Sequence, residues 1–226
     1  MKPKFRTIAI VPAAGSGRRL SLKRKKPFVL LRGMPIVIRT LKALEACGII
    51  EAIVVASEPS CMKRLFTLVR RYRLKKVLDI VAGGRTRFES VRNCLGCVDP
   101  SFDIVVIHDG ARPFVEKNII EESIKLAAKF GGCISAVAEN DTVKLAGRDL
   151  FVERTLDRGR LYRAQTPQVF RRDIIKEAYE RASGTGITDD AGLVEGLGKK
   201  VKILAGSYRN IKITTKEDLK SAEAFL

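Results

Sequence analysis

Short runs of apolar and β-branched residues recur along the chain, at Thr7 to Val11, Ala52 to Ala56, Val77 to Val81, Asp103 to Ile107 and Cys133 to Val137. Each reads as a strand. Between them the apolar spacing changes to that of a helix: Ile36, Leu41, Leu44 and Cys47 share one face before Gly48, and segments 59–72, 87–96 and 117–130 follow the same rule. Alternating strand and helix predicts an α/β fold, a mainly parallel twisted sheet with helices on both faces. Ligands in such folds lie at the carboxyl ends of the strands. Three loops are expected there: Pro12 to Leu20, Ala82-Gly-Gly84 and His108-Asp-Gly-Ala-Arg112.

From Asp141 to about Leu161 the pattern becomes polar-apolar alternation, Thr142-Val-Lys-Leu145 and Leu150-Phe-Val-Glu-Arg154, around the turn-like Ala146-Gly-Arg-Asp149. This predicts a β-arm at about 139–163 inserted in a single domain spanning 1–226. A hairpin of this kind has little core of its own and is expected to pack on another part of the fold or on a second subunit. Helical spacing returns near 171–183 and 188–197, a strand-like Ile211-Lys-Ile-Thr214 follows, and Thr215-Lys-Glu-Asp218 has the form of a helix cap.

Composition narrows the function. With 226 residues, 46% of them hydrophobic, the chain can bury a substantial core, and no linker or repeat interrupts it. Lysine and arginine number 43 against 25 acids, a formal charge of +18, which implies an anionic partner. Seven basic residues crowd between Arg18 and Arg32, but no aromatic ladder accompanies them, so no nucleic-acid surface is expected. The apolar run after Met1-Lys-Pro-Lys-Phe-Arg6 is too short for a signal peptide, and no stretch is long enough to span a bilayer. The expectation is a soluble, cytoplasmic protein without membrane association. Five scattered cysteines suit a reducing compartment, and Cys94 and Cys97, with only one histidine in the chain to complete a zinc site, are expected to be small core residues.

The stretch Val11-Pro-Ala-Ala-Gly-Ser-Gly-Arg-Arg-Leu20 carries the strongest chemical signal. Ala13, Ala14, Gly15, Ser16 and Gly17 have small side chains, so backbone N–H groups can close around phosphate oxygens while Arg18 or Arg19 supplies charge. The third glycine of a dinucleotide fingerprint is replaced by Leu20, and no Gly-Lys-Ser or Gly-Lys-Thr follows, so neither a dehydrogenase loop nor a Walker A loop is indicated. Asp109 ends a strand close to this loop. A single carboxylate there suits Mg²⁺, which takes one or two carboxylates together with substrate phosphates; the alternative is a helix cap or a partner for Arg112. His108, the only histidine, fits strand-end packing better than proton transfer, and no Gly-x-Ser-x-Gly turn supports a serine triad.

Taken together, Pro12-Ala-Ala-Gly-Ser-Gly-Arg-Arg19, Gly83-Gly-Arg-Thr-Arg-Phe-Glu-Ser-Val91, His108-Asp-Gly-Ala-Arg-Pro113, Asp141-Thr142, Thr155-Leu-Asp-Arg158, Thr166-Pro-Gln168, Thr188-Asp189 and Asn210-Ile-Lys-Ile-Thr214 extend nearly end to end. In this order they resemble the nucleotidyltransferases of three-layer Rossmann-like fold, and within them the 2-C-methyl-D-erythritol 4-phosphate cytidylyltransferase family. The resemblance implies transfer of CMP from CTP to a phosphorylated polyol, with release of pyrophosphate. Arg19 and Lys26 would stabilise the transition state, and Asp109 would hold Mg²⁺ across the phosphates. Gly83, Arg87 and Ser90 match the segment beside the cytidine. Thr142, Arg158, Thr166 and Lys212 match positions that hold the polyol phosphate, with Arg112 and Thr188 lining the polyol site. The arm would cross to a neighbouring subunit, implying a homodimer.

Three departures accompany the match. Lys26 precedes Pro27 where the family pattern often places proline first, Gly110 replaces an alanine or serine and is expected to loosen the turn after Asp109, and Arg85 adds a charge near the base pocket with no evident physical reason. Ribitol 5-phosphate cytidylyltransferase is the nearest alternative, since it shares most of these motifs. A non-catalytic nucleotide or nucleic-acid binder is the alternative from another class.

Overall fold

The computed structural model describes residues 5–15, 25–182 and 186–226. Ser16, Gly17 and Arg19, assigned to the phosphate grip above, lie outside the described residues. A seven-stranded sheet organises the fold: β1 (Thr7–Pro12), β4 (Ile50–Ser57), β5 (Val77–Ala82), β6 (Ile104–Ile107), β7 (Gly132–Ala138), β10 (Tyr162–Arg171) and β11 (Lys202–Ala205), ordered β11-β7-β10-β6-β1-β4-β5. Parallel ladders join β4, β6 and β5 around β1, and β11 is parallel to β7, whereas β10 runs antiparallel to both its neighbours.

The strands read from the sequence are apolar throughout because both faces are covered. Along β1, Ala9 and Val11 join one hydrophobic cluster and Ile8 and Ile10 the other, as the two-residue period of a strand requires. The first cluster is closed by α1 (Ile36–Glu45), α2 (Met62–Arg71) and α4 (Lys117–Phe130), through Leu41, Leu65 and Ile120 among others. The second is closed by α3 (Arg87–Leu95), α5 (Arg172–Arg181) and α6 (Asp190–Gly196), through Val91, Ile175 and Val194. A final helix, α7 (Lys216–Glu223), begins with the reciprocal cap expected from Thr215 and Asp218. A short hairpin of β2 (Leu30–Leu31) and β3 (Met34–Pro35) leads into α1.

The arm is a two-stranded hairpin of β8 (Lys144–Ala146) and β9 (Val152–Thr155), and every residue in both strands is exposed. Leu150 and Phe151 are 85% and 75% exposed at its tip.

Three expectations need correction. Ile211 to Thr214 joins no sheet; Ile213 instead donates its N–H to the Ala111 carbonyl at 2.9 Å, strapping the segment across the loop after β6. Cys97 is exposed, in the turn that follows α3, whereas Cys94 within the helix is buried in the core. The strands β10 and β11 were not expected. In β10 the buried stretch contains Gln165, Thr166, Pro167 and Gln168, which conceals its strand character, and β11 lies in a lysine-rich segment.

Candidate active site

The chain runs from β1 outward through β4 to β5, then returns to lay β6 on the other side of β1. Connections therefore diverge between β1 and β6, and a crevice opens at their carboxyl ends. Backbone hydrogen bonds stitch the loops there together: Ala13 N–H to Ala56 O at 2.8 Å, Gly83 N–H to Ser57 O at 2.8 Å and Gly110 N–H to Pro12 O at 3.3 Å. Such close approach needs missing side chains. A Cβ on Gly83 would stand 2.2 Å from the Ala14 Cβ, and one on Gly110 would stand 3.0 Å from the Ala13 Cβ. Gly110 thus lets the two loops approach closely, a role beside the expected loosening of the turn.

Over these loops lies a cleft of about 780 Å³. Ala13, Ala14, Gly15, Lys26, Arg87, Ser90, Asp109 and Lys212 all line it, so residues far apart in the sequence meet as the motifs suggested. Arg85 and Thr214, unassigned from the sequence, also border it, as does the ion pair of Lys25 with Glu58. Thr86 caps α3 by accepting from the Glu89 N–H at 3.1 Å, and the Ser90 hydroxyl donates to the Thr86 carbonyl at 2.9 Å while accepting from the Gly84 N–H at 3.1 Å. The glycine turn is therefore held rigidly at the cleft wall. Arg85 is exposed, with its backbone N–H tied to Glu89 at 2.6 Å.

Asp109 sits at the floor, 5% exposed and surrounded by cations. Its Oδ1 accepts from Arg87 Nε at 3.0 Å, and its Oδ2 lies 2.8 Å from Lys212 Nζ and 3.7 Å from Arg112 Nε. Burial opposes its ionisation, but the Arg87, Lys212 and Arg112 charges outweigh burial and hold the carboxyl well below the usual carboxylate range. Lys212 reaches it because Asn210 is locked beneath: Arg112 Nη1 donates to Asn210 O at 2.6 Å, and Asn210 Nδ2 donates to Thr166 O at 2.8 Å.

Thr166 stands behind the cleft, where its hydroxyl accepts from the Asp109 N–H at 3.0 Å and lies 3.1 Å from His108 Nδ1. His108 is fully enclosed, and burial pushes its pKa down to about 4, so the ring is neutral near neutral pH and serves as a strut between Thr166 and the Arg112 carbonyl. Arg87 lines the cleft, yet its guanidinium is engaged by Asp109 and by Asp190. Thr142, Arg158 and Thr188 are not brought to the cleft: Thr142 and Thr188 are exposed, and Arg158 donates to Asn140 O at 2.9 Å at the root of the arm. Asp190, Gln168 and Tyr179 were missed. The one available signal for Asp190 was its place directly after the Thr188-Asp189 motif.

A family model described as 2-C-methyl-D-erythritol 4-phosphate cytidylyltransferase matches residues 7–226. The chain belongs to this family. Curated 2-C-methyl-D-erythritol 4-phosphate cytidylyltransferases are similar along nearly their whole length: that of Syntrophus aciditrophicus is 48% identical, covering 100% of this chain and 97% of its own. That of Geobacillus thermodenitrificans is 46% identical, with 96% of each covered. Among solved structures, the 4-diphosphocytidyl-2C-methyl-D-erythritol synthase of Anaerococcus prevotii superposes with a TM-score of 0.87 at 32% identity, 98% of both chains being covered. The Rossmann-like α/β assignment therefore holds, and among the described residues no helix is long and apolar enough to cross a membrane. Membership in this cytidylyltransferase family gives the cationic cleft its chemical context.

Proposed function

We propose that the protein transfers CMP from CTP to 2-C-methyl-D-erythritol 4-phosphate, forming 4-diphosphocytidyl-2-C-methyl-D-erythritol and pyrophosphate for isoprenoid precursor biosynthesis. One observation carries this reading beyond family membership: the small-residue wall of Ala13 to Gly15, together with Lys26, Asp109 and Lys212, converges on one cleft at the switch point of the sheet. The polyol phosphate supplies an oxygen already ionised at neutral pH. That oxygen forms a bond to the α-phosphorus of CTP while the bond to the β-phosphate oxygen breaks, its electron pair leaving with pyrophosphate. No general base is needed, in keeping with the enclosed, neutral His108.

Catalysis is then positioning and charge stabilisation. Lys26 at the cleft wall, and Arg19 outside the described residues, are assigned to the phosphates and the leaving pyrophosphate. The Ala13 N–H is taken by Ala56 O, so the backbone N–H contacts to phosphate are assigned to Ala14 and Gly15 and, outside the described residues, to Ser16 and Gly17, while Gly83 and Ser90 are assigned to the wall beside the base. Arg87 is assigned to the support of Asp109 rather than to direct contact with the cytidine. Lys212 and, behind it, Arg112 are assigned to the polyol side, and Thr166 orients the Asp109 backbone.

Mg²⁺ fits the donor set. Among the described residues no cluster of three His, Cys, Asp or Glu side chains forms an all-protein cage, and Mg²⁺ bound mainly by phosphates requires none. Asp109 Oδ2 already accommodates the Lys212 ammonium at 2.8 Å, so the site tolerates a cation there. When bound, Mg²⁺ supplies charge neutralisation across the triphosphate. In kinetic assays, magnesium-dependent pyrophosphate release is expected with CTP plus methylerythritol phosphate and much less with ribitol 5-phosphate. The opposite preference would overturn the substrate assignment.

A homodimer joined through the arm is part of this reading, supported by the exposed Leu150 and Phe151. Thr142 and Arg158, on the arm, would then complete the polyol site of a neighbouring copy. Mixing Arg158→Ala chains with Arg19→Ala chains is expected to restore part of the activity, because a hybrid dimer holds one intact site. Absence of restoration, with mixed dimers demonstrated by native mass spectrometry, would refute sharing across subunits.

A further inference from the structure

Arg87 is held between two buried carboxylates. Its Nη1 and Nη2 donate to Asp190 Oδ1 and Oδ2 at 3.0 and 2.6 Å, a fork-to-fork pair, which leaves Nε for Asp109 Oδ1 at 3.0 Å. Asp190 is wholly enclosed and has been fixed from the other side. Tyr179 Oη donates to its Oδ1 at 2.6 Å, and the Asp190 and Ala191 N–H groups both donate to Gln168 Oε1 at 3.0 Å. The Tyr179 ring is in turn stacked on Phe88, the residue following Arg87, at 4.8 Å between centroids.

We propose that Asp190 is a positioning residue for the reaction, retaining the fork of Arg87 so that Arg87 engages only Oδ1 of Asp109 and leaves Oδ2 to the cations on its other side, Lys212 and Arg112 in this structure. The reason lies in guanidinium geometry. An arginine with a single carboxylate neighbour tends to close on both its oxygens with two parallel hydrogen bonds. Arg87 meets Asp109 through Nε alone at 3.0 Å, because both its Nη atoms are committed to Asp190. The other oxygen, Oδ2, meets Lys212 at 2.8 Å and lies 3.7 Å from Arg112 Nε; of the two, the Lys212 side chain, 39% exposed, is the one able to exchange for an incoming cation. Burial favours the neutral form of Arg87, but Asp190 and Asp109 together overcome it and hold the charge firmly in place. Asp190 thus acts on the reaction through Arg87 and touches no substrate.

This inference rests on Asp109 being the ligand of a phosphate-bound divalent ion, and the test separates the two. Binding of Mn²⁺ with CTP to the protein, no polyol being present, is followed by the rise in water-proton relaxation over that of Mn²⁺–CTP alone, since CTP by itself already sequesters the free ion. CTP binding is measured separately by calorimetry without metal. Asp190→Asn is expected to raise the Mn²⁺ concentration at half-saturation by about ten- to a hundredfold, the usual effect of losing a partner behind a metal ligand, while metal-free CTP binding stays within about twofold. Asp190→Glu, which keeps the charge, is expected to recover part of the loss.

If Asp109→Asn weakens Mn²⁺ binding and Asp190→Asn does not, Asp190 has no positioning role and the ligand assignment stands. If neither weakens it, both readings fail. Equal losses of Mn²⁺ binding and metal-free CTP binding in Asp190→Asn would mean a structural role only. Should Asp190→Asn fail to fold, Tyr179→Phe loosens Asp190 without altering Arg87 and is expected to shift Mn²⁺ half-saturation in the same direction by about fivefold, the scale of one lost hydrogen bond. An unshifted value overturns the proposal.

Discussion

Replacing Asp109 with asparagine is expected to lower kcat/KM for CTP and methylerythritol phosphate by about two to three orders of magnitude, the scale seen when one preorganised charged contact is removed from a polar site. Asparagine keeps the volume and loses the charge. Arg87 would retain Asp190, and the partly exposed Lys212 could turn to solvent, but Arg112 would lose the carboxylate facing its buried Nε. Breaking a buried ion pair costs about 3 to 5 kcal/mol, and the escape of Lys212 should place the cost in stability toward the lower end. Urea denaturation alongside steady-state kinetics separates the effects. A folded variant whose rate falls less than tenfold would remove Asp109 from the centre of the mechanism.

Gly83→Ala is the second change with a large expected effect. Its new Cβ would come 2.2 Å from the Ala14 Cβ, and neither atom belongs to a side chain that can swing away. The two loops must part, at a cost of about 1 to 3 kcal/mol. Because Ala14 borders the cleft, the displacement also moves the phosphate-facing backbone, and the KM for CTP is expected to rise by about tenfold or more. Gly110→Ala, with its Cβ at 3.0 Å from Ala13, should follow in the same direction with a smaller effect. Gly48→Ala meets nothing within 4 Å and should leave both KM and stability unchanged. Equal behaviour of the three variants in CTP titrations and thermal melts would contradict the close-packed loop account.

The strands β1, β4 and β6 and the helices covering them could be read from the chain because their burial is expressed locally. Ile8 to Val11 are apolar on successive positions since the sheet is covered on both faces, and Leu41 and Leu44 repeat at helical spacing over one of them. The position of Asp109 was legible too, as the residue two beyond the end of an apolar strand. Its environment was not.

Arg87 lies 22 residues from Asp109 and 103 from Asp190, and the Arg112 contact with Asn210 spans 98. No local spacing carries such pairings. The same holds for β10, whose Gln165, Thr166 and Gln168 resemble a polar loop until the fold buries them against Ser207, Asp109 and Asp190. Secondary structure and the phosphate-facing loop are written in short-range periodicity and residue size. Which cation meets which carboxylate oxygen depends on the crossing of distant segments at the end of the sheet, where burial makes every unpaired charge expensive.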